Sequence, residues 1–367
     1  MFFKGIDSLN VYNNSLIWHG NNYELLDFEY EIKKKAKLVS NNIKSLWRYK
    51  DFLPFIDDEN IVSVSEGFTP LLELNLGSKP CYIKMDQIFL SGSYKDRGAS
   101  VLISFVKQLG IKNVVQDSSG NAGASIAVYC ALAKISCDIY VPKETSSGKV
   151  VQAKASGAKV ILVEGDREKT AEVAFDAAKK SYYASHCYNP VFFEGTKTFL
   201  FEVFEQLNFK MPEAIVLPAG NGTLLLGCFL GAKQLINAGI ADNMPKLIAV
   251  QSSNCNPLYK FINNEPFTDN FGSTIAEGIA IKKPVRLKQM AEAVKQSNGL
   301  VINVDDEDIK KTWFNLAKMG FMVEPTSAAT ITGLNIYLQN YVTSGNVVSL
   351  FSGNGLKSTD KWINYLN

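Results

Sequence analysis

Histidine is scarce in this sequence: the 367 residues contain only His19 and His186. That excludes a histidine-rich metal centre and argues against a Ser/His/Asp triad. The six cysteines, Cys81, Cys130, Cys137, Cys187, Cys228 and Cys255, form no C-x-x-C pair and lie mostly in apolar contexts. Free thiols and no metal site are expected. No apolar run approaches the roughly 20 residues that span a bilayer. The stretch Met1 to Asp7 lacks the long apolar segment of a signal peptide, so a cytoplasmic protein without a membrane partner is expected. A dominant charge is missing too, with 38 Lys+Arg against 36 Asp+Glu and a net charge of +2. Nothing in that balance favours nucleic acid or an anionic membrane. Acid–base chemistry must rest on lysine, serine, carboxylates or a cofactor.

What is present is the balance of a folded globular chain, 46% hydrophobic and 20% charged residues. The length suits two α/β domains with a cleft between them. From Lys112 onward β-branched runs alternate with helical patterns: Asn113 to Asp117, then Gly120 to Ala133; Cys137 to Val141, then Gly148 to Ser156; Lys159 to Val163, then Arg167 to Lys180. A second series runs through a helix at Glu194 to Leu207, a strand at Ala214 to Leu217, a helix at Gly222 to Asn237 and a strand at Lys246 to Val250. One more buried strand is expected at Val347 to Phe351. The repeat predicts mainly parallel, doubly wound sheets. The first sixty residues, rich in Asn, Lys and aromatics, with Ile32 to Val39 too basic for a core helix, are read as an N-terminal extension.

In such sheets ligands bind at the carboxyl ends of the strands. Three loops there are rich in small residues: Asp117 to Gly123, Pro218 to Thr223 and Ser352 to Gly355. Pro218-Ala219-Gly220-Asn221-Gly222-Thr223 can turn its N–H groups on a phosphate, or be an ordinary glycine-containing turn. Ser118-Ser119-Gly120-Asn121 can hold a carboxylate, or simply cap a helix. Ser91-Gly92-Ser93-Tyr94-Lys95-Asp96-Arg97-Gly98 places Lys95 at the start of an apolar-periodic helix, where a neutral amine able to attack an aldehyde is favoured, although most such lysines are solvated surface residues.

Taken together, these motifs resemble the threonine synthase family of pyridoxal-5'-phosphate (PLP) enzymes, whose fold is the type II, tryptophan-synthase β-like one. The lysine motif has tyrosine where the family usually has phenylalanine. Further matches are Ser45 to Tyr49, Glu66 to Leu71, Asn189-Pro190 with Glu194 to Thr198, and Glu324-Pro325-Thr326-Ser327-Ala328-Ala329, so the resemblance spans roughly Leu46 to Lys357. It implies two doubly wound, mainly parallel sheets with PLP in the cleft between them. Residues 61–98 and 191–367 would form the large cofactor-binding domain, and residues 99–190 the small substrate-loop domain. Lys95 would hold PLP as a Schiff base and Asn121 would bond the ring oxygen. Gly220, Asn221, Gly222 and Thr223 would bind the phosphate, and Ser352 would face the pyridine nitrogen; a hydroxyl there implies an unprotonated nitrogen. Ser118, Ser119 and Asn121 would hold the substrate carboxylate, and relatives suggest a homodimer.

The sequence departs from the family where the substrate lies. Threonine synthases commonly read Ser-x-Asn-Pro-x-Arg, and that serine and arginine grip the substrate phosphate; this chain has Cys187 and Phe192 there. The change removes charge-assisted hydrogen bonds worth about 1.5–3 kcal/mol each, unless another cation, Lys149 or Lys197, compensates. The family's Thr-Gly-His-Gly is here Ser352-Gly353-Asn354-Gly355, which puts Asn354 beside the substrate. The segment Trp18 to Tyr23 resembles the zinc ribbon of some members without its cysteines, and no metal is expected there. The expected reaction is β-replacement on O-phosphoserine or a similar O-activated amino acid, as in cysteate synthase, with sulfite as candidate nucleophile. The alternatives are threonine synthase, acting on O-phosphohomoserine and water, a serine/threonine deaminase, or a non-catalytic PLP-binding protein.

Overall fold

The computed structural model describes residues 1–13, 16–32, 36–76, 79–145, 147–266 and 271–366, except the side chains of Ser147 and Lys149. Part of the basic stretch, Lys33 to Lys35, lies outside the described residues, as does the Lys149 side chain. The chain divides into two compact units, Met1–Gly67 with Lys95–Thr196, and Phe68–Tyr94 with Lys197–Asn367.

The first unit carries a four-stranded parallel sheet in the order Lys159–Val163, Ser136–Pro142, Asn113–Gln116, Tyr182–Tyr183. Parallel neighbours need crossovers, and the helices Asn121–Ala133, Ser147–Ala155 and Arg167–Ala178 supply them. The residues expected as an N-terminal extension include a three-stranded antiparallel sheet, Val11–Tyr12, Phe2–Gly5 and Leu26–Glu29. Its period-two pattern turns Leu26 and Phe28 inward and Asp27 and Glu29 outward. The inward residues join Leu46, Trp47 and Phe105 in the unit's core. Trp18 packs edge-on against Phe175 and Tyr183, with ring centroids 4.8 and 4.7 Å away. The buried Glu66 carboxylate accepts from the Trp47 indole N–H (3.1 Å), the Ser100 hydroxyl (2.6 Å) and the Val64 N–H (2.8 Å), which ties two of the sequence motifs to the helix Lys95–Gln108.

The second unit is built on a six-stranded sheet in the order Leu300–Val304, Lys246–Ser252, Ala214–Pro218, Val347–Leu350, Pro80–Lys84, Leu71–Asn75. All pairs are parallel except the last, so the sheet is mixed. The helix Pro325–Asn340 covers the hydrophobic cluster containing Val216, Val250 and Trp313, and the helix Thr223–Asn237 packs with Leu217 and Ala249 in a second cluster. Buried beside this sheet, Lys84 pairs with Glu202 at 2.8 Å, both side chains 0% exposed, and donates to the Thr69 carbonyl (2.6 Å) and to Gln206 (2.7 Å). The single helix expected over Glu194 to Leu207 is two, Val191–Thr196 and Thr198–Gln206. The ladder restarts on a three-residue step, Leu200 N–H to the Lys197 carbonyl at 3.0 Å.

Candidate active site

In the first unit Lys95 is the first residue of the helix Lys95–Gln108 and is only partly buried. Its Nζ lies 5.9 Å from the ring centre of Phe192, within cation–π range. That ring is 0% exposed. It lies so close to Gly98 that a Cβ there would come within 2.3 Å of it, and a Cβ on Gly195 would come within 2.0 Å of the Arg97 carbonyl oxygen. The two glycines are therefore what lets the helix bearing Phe192 settle onto the root of Lys95. The residue expected to border the substrate phosphate is thus core packing as well as a missing cation.

The loops after the parallel strands all leave the same edge of the small sheet. After Asn113–Gln116 comes Ser118, whose Oγ accepts from the Gly120 N–H (3.3 Å), followed by the partly exposed Ser119 and then Asn121 at the first position of its helix. A Cβ on Gly123 would strike the Ser118 carbonyl oxygen at 1.9 Å, so a glycine there is what allows the turn. After Tyr182–Tyr183 come the buried His186 and Cys187; the Cys187 N–H donates to the Ser185 hydroxyl (3.3 Å). Burial, reinforced by the charges of Lys95 and Arg167, holds the His186 imidazole well below its usual range, so it is neutral. Arg167 is exposed at the start of its helix after the strand Lys159–Val163. Burial raises the Asp117 carboxyl above the usual range, opposed by the charge of Arg167 and by the Tyr183 hydroxyl. His186, Asp117 and Arg167 share a sheet edge and not a local motif, so nothing in the sequence singles them out.

In the second unit the loop Gly220-Asn221-Gly222 leads from the strand Ala214–Pro218 into the helix Thr223–Asn237. Gly222 has φ +73°, and a Cβ on Gly220 would lie 2.8 Å from the Gly278 carbonyl oxygen. Among the described residues the N–H groups of Gly220 and Gly222 find no acceptor. A phosphate fits this arrangement: donors at a helix start, in a loop too close-packed for side chains. The Thr223 hydroxyl lies 2.9 Å from that of Tyr94, the residue that precedes Lys95. At the end of the strand Val347–Leu350 the buried Ser352 hydroxyl donates to Glu324 Oε1 (2.8 Å) and lies 3.0 Å from the Ser327 hydroxyl. Glu324 and Ser327 belong to the Glu-Pro-Thr-Ser-Ala-Ala segment, whose sequence alone gives neither of them a role. Asn354 commits its side chain locally: Oδ1 accepts from the Leu356 N–H (2.9 Å), and Nδ2 faces the Gln87 carbonyl at 3.5 Å. Lys197, one of the two cations considered as substitutes for the missing arginine, is 0% exposed and lies over the Phe201 ring.

The family profile described as pyridoxal-phosphate dependent enzyme matches residues 62–353. The chain belongs to that family. Its cofactor is pyridoxal 5'-phosphate, and it is an enzyme of the synthase/lyase kind. It is 35% identical to a threonine synthase of Methanocaldococcus jannaschii, over 92% of this chain and 86% of that one. It is also 33% identical to a threonine synthase of Methanosarcina acetivorans, over 84% and 80%. Among solved structures it is similar to a fungal L-serine ammonia-lyase from Rhizomucor miehei, with TM-score 0.68, 23% identity, and 81% and 97% of the two chains covered. The type II fold expected from the sequence is the fold of these neighbours. Among the described residues no helix is long and apolar enough to cross a membrane.

Proposed function

We propose that this PLP-dependent elimination and replacement enzyme acts on a three-carbon amino acid with its leaving group on Cβ, O-phosphoserine being the candidate, and exchanges that group for a small nucleophile such as sulfite. One observation carries the reading. Where threonine synthases present an arginine to the phosphate of a four-carbon substrate, this chain has Phe192, fully buried against Gly98. A phosphate on the longer chain would meet apolar surface there, and an anion left unpartnered carries a desolvation cost of several kcal/mol. We assign the leaving phosphate to Arg167, on the same sheet edge as Ser118 and Cys187 and close enough for its charge to act on Asp117 and His186.

In this reading Lys95 holds the cofactor covalently, and its amine, once released, takes and returns the proton at the substrate Cα. Ser118, Ser119 and Asn121 hold the substrate carboxylate, and Asn121 also bonds the cofactor ring oxygen. Gly220, Asn221, Gly222 and Thr223 hold the cofactor phosphate, Ser352 faces its ring nitrogen, and Cys187, Phe192 and Asn354 border the substrate. The cofactor supplies a sink for the negative charge that develops at Cα. Residues 61–98 and 191–367 serve as the cofactor domain and 99–190 as the substrate-loop domain. This division differs from the packing units by giving 61–67, 95–98 and 191–196 to the cofactor side. A cytoplasmic homodimer completes the proposal.

The second reading, threonine synthase, is favoured by the names of the relatives at 30–35% identity. Phosphate release from O-phosphoserine with sulfite, measured beside release from O-phosphohomoserine, separates the two. Efficient formation of threonine from O-phosphohomoserine by the unmodified enzyme would overturn the first. Loss of phosphate release in Arg167→Met, with turnover of an O-acetylated analogue retained, supports the assignment of Arg167. An equal loss on both substrates refutes it.

A further inference from the structure

Away from the loops assigned to the cofactor and the substrate, the second unit holds a cavity of about 390 Å³ between the segment 273–277, the start of the helix Asp306–Lys318 and the helix Thr359–Leu366. That volume lies within the roughly 300–1,000 Å³ of small-molecule sites. Two sets of bonds frame it. The Asp306 carboxylate accepts from the Thr274 hydroxyl (2.5 Å) and the Ile275 N–H (2.9 Å), which fixes the segment against the first helix. The Lys361 ammonium donates to the Ile275 carbonyl (2.6 Å) and pairs with Glu277 at 3.2 Å, which fixes the last helix against the same segment. Lys310 is held differently. Its Nζ lies 5.3 Å from the Tyr365 ring centre, and its carboxylate partner, Glu307 at 2.6 Å, has a side chain 84% exposed. An ion pair so exposed contributes little, so Lys310 can turn to a ligand's carboxylate at small cost.

The lining therefore sets two carboxylates, Glu277 and Asp306, beside two ammonium groups, Lys310 and Lys361, with Ile275 and the Tyr365 ring as its apolar surface. A cavity with both signs of charge and no net charge suits a ligand built in the same way, whereas a phosphate or a dicarboxylate would bring an anion up to two carboxylates. We infer that this cavity binds a free α-amino acid with an apolar side chain, its carboxylate on Lys310, its ammonium group on Glu277 and its side chain against Ile275 and Tyr365. Glu277, whose side chain is 46% exposed, is the accessible carboxylate; Asp306 is committed to Thr274 and Ile275. The same wall continues to the loop after the strand Ala214–Pro218. The Ile279 N–H donates to the Ala276 carbonyl (3.0 Å), and a Cβ on Gly220 would lie 2.8 Å from the Gly278 carbonyl oxygen. An occupant that braces residues 274–277 is thus coupled to Gly220; this coupling, unlike the binding, rests on the reading that Gly220 to Thr223 hold the cofactor phosphate.

The test uses holoenzyme reduced with borohydride, so that an added amino acid cannot react with the cofactor. Calorimetric titration with L-leucine, L-isoleucine, L-valine and L-methionine should show saturable binding of at least one of them. The N-acetyl and amide derivatives of the binder each lack one of its two charges, and each should bind about tenfold more weakly or worse, the worth of one charge-assisted hydrogen bond. Lys310→Met should weaken the parent amino acid by a similar factor, Lys310→Arg should restore it, and Glu277→Gln should weaken it as well. If none of the four binds, if the N-acetyl derivative binds as well as its parent, or if Lys310→Met leaves the dissociation constant unchanged, the assignment of the cavity is wrong. The phosphorus resonance of the bound cofactor reads the coupling, and it should move when the wild-type cavity is saturated. Thr223→Val, examined without amino acid, reports on the phosphate loop itself: if it leaves the resonance unmoved, the reading of that loop is wrong. If Thr223→Val moves the resonance and the bound amino acid does not, the coupling is wrong.

Discussion

Replacing Phe192 by arginine, with Cys187→Ser beside it, restores the side chains that threonine synthases present at these positions, and the packing sets its cost. The ring fills a space with no exposure, against Gly98. Removing a ring so placed costs about 3–5 kcal/mol when nothing replaces it, and an arginine stem refills only part of the volume. A guanidinium at the ring's position, which is 0% exposed, would also lack water or a partner in phosphate-free buffer, a further cost of several kcal/mol. The double variant should therefore be less stable than wild type by about 3 kcal/mol or more in phosphate-free buffer. If position 192 borders the substrate anion, inorganic phosphate should return stability, about 2.7 kcal/mol at a hundred times its dissociation constant. Urea unfolding of the cofactor-loaded protein, with and without phosphate, measures both effects; loading keeps phosphate out of the cofactor's own phosphate site. An undiminished midpoint would mean the ring is not packed as described. A phosphate effect equal to that in wild type would mean that residue 192 does not face the anion.

Lys95→Ala should bind the cofactor without a covalent bond and lose turnover, whereas wild type reduced with borohydride should carry the adduct on Lys95; peptide mapping to another lysine refutes the assignment. Gly222 is a poor probe of the phosphate loop, because any Cβ there is strained at φ +73° and meets the Met290 sulfur, so folding would suffer in the cofactor-free protein as well. Thr223→Val is cleaner: it should weaken cofactor binding about tenfold, the worth of one hydrogen bond, and Tyr94→Phe, which breaks the same hydroxyl pair, should not; equal dissociation constants would assign the hydroxyl to Tyr94 alone. The depressed His186 pKa makes the unfolded chain bind the extra proton first. Stability should therefore fall as pH drops below about 6.5, by up to about 1.4 kcal/mol per pH unit, until the folded-state value is reached. His186→Asn should flatten that slope in unfolding midpoints measured between pH 7.5 and 5.5, and an unchanged slope would place the titration elsewhere. Lys84→Met should cost about 3–5 kcal/mol by taking the paired cation from the buried Glu202, and Lys84→Met with Glu202→Leu should recover most of it; equal instability of both variants would mean the pair's packing matters more than its charge.

The strands and helices from Asn113 to Lys180 were legible because buried parallel strands are short apolar runs, and each is followed by a helix of its own period. The N-terminal sheet was not. Its strands run from two to four residues, too short for their alternation to stand out in the sequence alone, and Leu26 and Phe28 are recognisable as core only once Phe3 is seen opposite Phe28. Lys95, Ser118 and Gly220 to Thr223 announced themselves because their chemistry is local: a loop, a helix start, glycines. Glu324 and Ser327 stood in plain sight in Glu-Pro-Thr-Ser. Their partner Ser352 lies at least 25 residues away in sequence, so the contact exists only in the fold.

The close seat of Phe192 on Gly98 has an evolutionary corollary. A side chain at 98 and an aromatic ring at 192 exclude one another, so position 98 is held to glycine for as long as the ring stays. A lineage exchanging arginine for phenylalanine at 192 had to possess, or first acquire, a residue without a side chain at 98. Once the ring was seated, a return to arginine would have reopened a void beneath Lys95. Position 98 is in that sense locked by its neighbour, and a census of natural variants that keep an aromatic residue at 192 should find glycine at 98.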